Sequence, residues 1–178
     1  SFICVEPSFE NWVDLSEIVI PEMREINLCL KAFTTQAEET DIYVTSQKYQ
    51  VSQADKNITQ ISPNTTLADF EENILTNTNF EIYDKDNNLL TQTTDRIGTS
   101  ASLRIPATGD VYQLVVTGDL NGDGRVTGTD LLKVKRHIVK LEILTGSYLE
   151  AADVNFSDSI TSTDLLKIKQ AIVGLLQL

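Results

Sequence analysis

Residues 118–139 read GDLNGDGRVTGTDLLKVKRHIV, and residues 152–173 read ADVNFSDSITSTDLLKIKQAIV. The second segment follows the first at an offset of 34 residues, and about half of the aligned positions are identical. Each opens with oxygen-bearing side chains at positions 1, 3, 5, 9 and 12 of a loop, then runs directly into an amphipathic helix. Oxygen donors at that spacing wrap a hard cation and cap the helix that follows.

In the first loop Asp119, Asn121 and Asp123 occupy positions 1, 3 and 5. Gly124 stands at position 6, where the sharp turn needs a positive φ. Arg125 at position 7 offers its backbone carbonyl, Thr127 at position 9 reaches the ion directly or through water, and Asp130 at position 12 closes the shell at the start of the helix. With oxygen donors only, and no Cys or His, the set fits Ca²⁺ rather than Zn²⁺. The second loop repeats the pattern with Asp153, Asn155, Ser157, Ser159, Thr161 and Asp164. Ser157 forfeits a charge at position 5, and Asp158 at position 6 adopts a left-handed backbone less readily than glycine. Two Ca²⁺ ions are therefore expected, the second bound more weakly. Val126 and Ile160, both at position 8, are expected to meet in a short β-bridge between the loops.

The helices after the loops, residues 130–140 and 164–174, present Leu131, Leu132, Ile138 and Val139, and Leu165, Leu166, Ile172 and Val173. These faces are expected to pack on each other about a pseudo-twofold axis. Neither helix has the length to be stable alone, so metal binding and folding are coupled.

The rest of the chain must position these loops. Its 178 residues hold one medium domain or two small ones, and 41% hydrophobic content is ordinary for a globular protein. The net charge of −12 makes nucleic acid and anionic membrane poor partners. No apolar run in these residues is long enough for a membrane span, and no signal peptide is visible among them. Ser1 lacks an initiator Met, as in an excised or processed chain. Cys4 and Cys29 are too few to form a disulfide framework; a single pair and two thiols both remain open.

Three regions follow: an N-terminal segment 1–41, an α+β unit 42–117, and the repeat unit 118–178. In the first, residues 24–33 alternate as a strand with one buried face, and the segment is expected to pack on the next unit. In the second, 41–52 and 57–62 read as strands. Thr66 and Asp69 form a capping box opening a helix over 65–76, with Leu67, Phe70 and Ile74 inward. Residues 80–84 and 89–92 read as a hairpin across Lys85–Asn88, and 102–106 and 111–118 as closing strands. Asp84, Asp86 and Asn88 are read as a solvated turn rather than a third metal loop. The order of elements suggests an α+β fold, a small β-grasp-like module followed by an all-α unit of two loop-helix repeats. The last strand enters the first loop with no linker beyond Gly118, so the two units are expected to dock rigidly.

The motifs DLNGDGRVTGTDLLKVKR and DVNFSDSITSTDLLKIKQ resemble the type I dockerin, whose two F-hand units each pair a calcium loop with its exiting helix. The preceding segment resembles a small module found ahead of dockerins in surface proteins of Gram-positive bacteria. The resemblance implies an extracellular or cell-surface protein that binds a cohesin module of a scaffoldin or surface protein, and so joins a cellulosome-like, polysaccharide-degrading assembly. It implies partner contacts at loop positions 10 and 11 and further along each helix: Gly128, Thr129, Lys135 and Arg136, then Ser162, Thr163, Lys169 and Gln170. Gly128 lacks the hydroxyl of Ser162, and Arg136 differs from Gln170, so one of two half-turn-related orientations is expected to be favoured.

No catalytic constellation accompanies these motifs. The single histidine, His137, lies on the first repeat helix as a surface or interface residue, and no nucleophile elbow, zinc-protease motif or P-loop is present. The stretch before the repeats is a small scaffold for a glycosidase. Three readings result: a cohesin-binding assembly module, a calcium-stabilised structural end-piece with no cohesin, and an enzyme or carbohydrate-binding module in residues 1–117.

Overall fold

A computed structural model describes residues 42–178. The expectations for the segment 1–41, including its strand and its two cysteines, lie outside the described residues. The α+β part has seven strands and one helix: β1 (Val44–Ser46), β2 (Gln50–Ser52), β3 (Asn57–Ile61), α1 (Leu67–Asn73), β4 (Ile74–Thr76), β5 (Glu81–Tyr83), β6 (Ser102–Ile105) and β7 (Asp110–Val116). Three helices follow: α2 (Gly128–Ile138), α3 (Ser147–Ala152) and α4 (Ser162–Ile172).

Five strands form a sheet in the order β2-β3-β7-β6-β5. Its central pair, β3 and β7, is parallel, and the other pairs are antiparallel. Strand alternation puts Ile58, Leu103, Ile105, Leu114 and Val116 on a buried face, where Leu67 and Phe70 of α1 join them. Tyr49 stacks on Phe70 with ring centroids 5.3 Å apart.

Residues 41–52 are not one strand. Ser46 Oγ accepts hydrogen bonds from Lys48 N and Tyr49 N and turns the chain there, so β1 and β2 belong to different sheets. The capping box at Thr66 and Asp69 forms as expected, with Asp69 N donating to Thr66 Oγ1 at 3.2 Å and Thr66 N to Asp69 Oδ2 at 3.3 Å. The helix it opens is shorter than 65–76. At Ile74 the backbone becomes extended, and Ile74–Thr76 pairs with β1 as β4. Burial of the β-branched Ile74 against the core outweighs continued helix here. Residues 89–92 form no strand. Leu89 makes a single bridge to Tyr83, while Asp84 Oδ1 accepts from the N–H groups of Asp86 and Asn88 and ties 84–88 into a tight turn.

A second, smaller core contains Leu120, Val134, Leu144, Ala152, Val154 and Ile168, with Leu131, Ile138 and Leu165 packed on it. The packed stripe on α2 is Leu131, Val134 and Ile138, at i, i+3 and i+7, and on α4 it includes Leu165 and Ile168. Leu132, Val139, Leu166, Ile172 and Val173, expected inside, are exposed. Adjacent leucines lie about 100° apart around a helix, so only one of each pair faces the partner. Val126 and Ile160 also pack on this core, and no β-bridge joins them.

Candidate calcium-binding and docking site

Loop 1 starts where β7 ends. Asp119 is fully buried and gathers backbone donors around its carboxylate. Its Oδ1 accepts from the N–H of Asn121 at 3.2 Å, Gly122 at 2.7 Å and Asp123 at 3.3 Å. Its Oδ2 accepts from Gly124 N and Thr99 N, both at 2.9 Å. Burial pushes the Asp119 carboxyl above its ordinary value, and the backbone donors pull the other way. Asp130, also fully buried, accepts from Leu120 N at 2.9 Å on Oδ1, and on Oδ2 from Thr127 N and Thr127 Oγ1, both at 2.9 Å. It is the third residue of α2 rather than the first, so the carboxylate at position 12 also completes a capping box with Thr127.

Asn121 and Asp123 sit at the loop's outer edge. Asn121 Oδ1 accepts from Asp123 N at 2.9 Å, and Asp123 Oδ1 accepts from Arg125 N at 2.9 Å. Such turns bend the backbone so that the side-chain oxygens stay on one side of the loop.

Loop 2 is built alike. Asp153 Oδ1 accepts from Ser157 N at 3.1 Å, and Oδ2 from Asp158 N at 2.6 Å. Asp164 is fully buried, and its Oδ2 takes Thr161 N at 2.8 Å and Thr161 Oγ1 at 3.1 Å. Its Oδ1 and the Oδ1 of Asn155 are buried without a hydrogen-bond partner. Ser157 is exposed, and its Oγ lies 3.2 Å from Ser159 O.

Position 4, which carries no ion-binding side chain, takes the same left-handed backbone as position 6. In loop 1 these are Gly122 at φ +77° and Gly124 at φ +74°; in loop 2 they are Phe156 at φ +56° and Asp158 at φ +61°. A bulky residue rarely adopts this conformation, so the loop geometry is imposed on repeat two despite its side chains.

Three buried carboxylates, Asp119, Asp130 and Asp164, carry no Lys or Arg ion pair among the described residues; the salt bridges there join Lys56 to Asp110, Lys85 to Asp86 and Arg136 to Glu142. Burying unpaired charge is costly unless a cation compensates it. No ready-made cluster of three Asp, Glu, His or Cys side chains occurs among the described residues. The loops instead mix carboxylates with Asn, Thr or Ser and a backbone carbonyl, and in this geometry the carboxylates are turned to backbone N–H groups. This donor set suits calcium, and the orphaned acceptors Asn155 Oδ1 and Asp164 Oδ1 fit a cation in loop 2.

Residues 117–173 match the family model described as the dockerin type I domain. This segment is a type I dockerin. No curated protein and no solved structure matches the chain. Dockerins are non-catalytic modules that bind calcium and bind cohesins, and proteins carrying them are typically extracellular or associated with the cell surface. Among the described residues no helix is long and apolar enough to cross a membrane.

The dockerin leaves Gly128, Thr129, Lys135, Arg136, Ser162, Thr163 and Lys169 exposed, and Gln170 half-buried. Beside them Leu132 pairs with Leu166, Val139 with Val173 and Leu141 with Leu175, each exposed and each at the 34-residue offset of the repeat. A shallow apolar groove runs between Leu132, Val139, Leu141 and Leu165, rimmed by Lys135 and Arg136. His137 is a brace within the dockerin: its Nδ1 accepts from Leu144 N at 3.1 Å and fixes the return of the chain after α2. The short helix α3 ahead of loop 2 carried no signal beyond the small residues Ala151 and Ala152, which are buried.

Proposed function

We propose that this chain is an assembly module: its dockerin binds a cohesin in a calcium-dependent manner and anchors the parent protein in a cellulosome-like or cell-surface assembly. The observation that carries the calcium half is the burial of Asp119, Asp130 and Asp164 without basic partners. The side chains of Asp119, Asn121, Asp123, Thr127 and Asp130, with the carbonyl of Arg125, would hold one ion. Asp153, Asn155, Ser157, Thr161 and Asp164, with the carbonyl of Ser159, would hold a second. The ions neutralise the loops and fix the helices that present the docking face.

The partner half is supported by one apolar groove edged by Lys135 and Arg136, and by the exposure of Leu166, Val173 and Leu175 at the repeat-related positions. Exposed contiguous apolar surface of this kind marks protein contact sites. The contacts would come from Gly128, Thr129, Lys135 and Arg136, or from Ser162, Thr163, Lys169 and Gln170. Residues 42–117 are read as a β-grasp-like module, a reading supported by the single helix over a mixed sheet. In the β-grasp pattern the last strand pairs with the first strand of the hairpin, whereas here β7 pairs with the second.

The test is capture from the secreted and surface proteins of the source cells, with this chain as bait, in calcium and then in chelator. A partner held only in calcium is the expected result. Calcium uptake with nothing captured would replace this reading with that of a structural end-piece.

Site 2 should be the weaker, for two separable reasons: one fewer carboxylate, and strained backbone at Phe156 and Asp158. Asp158→Gly removes strain of about 1–2 kcal/mol, which corresponds to roughly tenfold tighter binding where that strain is incurred as the loop closes on its ion. Ser157→Asp restores the missing charge. Calorimetry on the two variants separates the causes, and no gain from either would contradict the assignment of loop 2.

A further inference from the structure

We propose that the α+β unit is itself part of calcium site 1: residues 62–66 and 96–99 form the site's outer wall, and Thr99 is the positioning residue for its first ligand, Asp119. The proposal rests on the reading that loop 1 holds calcium. Thr99 is fully buried, and its backbone N–H reaches Asp119 Oδ2 at 2.9 Å. Its hydroxyl lies 3.1 Å from both the N and the O of Val116, in the strand that feeds the loop. From the same wall, Asn64 N donates to Gly124 O at 2.7 Å.

The two backbones meet with no room for side chains. A β-carbon on Gly98 would lie 2.3 Å from Gly122 O, one on Gly122 2.8 Å from Thr99 O, and one on Gly124 2.5 Å from Ile97 O. Repeat two is the internal control. Phe156 and Asp158 stand at the positions of Gly122 and Gly124, with the same left-handed backbone, and both are exposed. The left-handed turn alone therefore does not dictate glycine in this chain; the approach of the wall does. The departure of the two loops from identity records that one of them is docked.

Groups that do not touch a metal but hydrogen-bond its ligands orient those ligands, and removing them typically costs 10- to 100-fold in affinity. A carboxylate held at one oxygen before the ion arrives has less freedom to lose on binding. The coupling is reciprocal, so calcium at site 1 also tightens the wall.

The test uses the full chain, with occupancy of each site read from the amide signals of Gly124 and Asp158 during a calcium titration. Gly98→Ala drives a methyl group against Gly122 and is expected to weaken site 1 by 10- to 100-fold while leaving site 2 unchanged. Thr99→Ser, which keeps the N–H and the hydroxyl, is expected to bind as the parent does. Parental affinity of Gly98→Ala at site 1 would overturn the proposal. Should that variant fail to fold, the unmodified chain decides: calcium slows amide exchange at Thr99 and Asn64, and unchanged exchange at both would overturn it. An unmodified chain that takes up no calcium at loop 1 would instead overturn the calcium reading itself, and the proposal with it.

Discussion

Asp119→Ala abolishes calcium binding at loop 1 and loosens the dockerin around it. The Asp119 carboxylate is the hub of that loop, accepting from Thr99, Asn121, Gly122, Asp123 and Gly124. Its removal deletes one of three acidic donors and strands those N–H groups. A buried donor left unsatisfied costs about 1–3 kcal/mol, and the bonds from Thr99 and Gly124 are both buried. The loss is large beside the 5–15 kcal/mol typical of a domain's stability. Asp119→Asn separates the two effects in part, since it removes the charge and keeps one of the two acceptor oxygens, while its NH2 faces the N–H donors of the other. Calorimetry should find site 1 lost in both variants, and circular dichroism should find the greater loss of helix in the alanine variant. Unchanged calcium affinity and unchanged helix in Asp119→Ala would mean that the loop is misassigned.

Removing calcium altogether melts the dockerin and spares the sheet. The dockerin core has six buried apolar residues, one of them an alanine, whereas the core of the α+β part has fifteen, among them Phe70, Ile58, Leu103 and Leu114. Its two principal helices, Gly128–Ile138 and Ser162–Ile172, are 11 residues each, below the length of about 12–15 residues under which isolated helices are marginal. Without the ions, three buried carboxylates repel the fold that surrounds them, so binding energy is folding energy here. Amide exchange in chelator is therefore expected to lose protection at Val134 and Ile168 and to retain it at Leu103 and Leu114. Equal protection of both cores, with and without calcium, would contradict the coupling.

The chemistry was legible in the chain because it is local. Oxygen donors at fixed loop positions, and a Thr followed three residues later by Asp at the start of α1, need only a few consecutive residues to act together. What was not legible depends on neighbours far along the chain. Leu131 and Leu132 are both apolar, and only the position of α4 decides that Leu131 packs and Leu132 is exposed. The run 41–52 has the composition of one strand, and a single hydroxyl, Ser46 Oγ, divides it between two sheets. Ile74 would continue a helix by spacing, yet β1 lies beside it and takes it as a strand. The bond from Thr99 to Asp119 spans 20 residues. Its one trace in the sequence is the glycine pair Gly122 and Gly124 in a loop whose sister carries Phe156 and Asp158. A difference between otherwise like repeats was the available signal, and only the fold says what it means.

Calcium-dependent cohesin binding is tested most directly by a calorimetric titration of the full chain into purified cohesin modules, once with calcium and once after chelation. Saturable binding to at least one cohesin in calcium and none in chelator is the expected result, with the affinity restored when calcium returns. Binding that persists unchanged in chelator, or uptake of calcium with no cohesin bound, would contradict it.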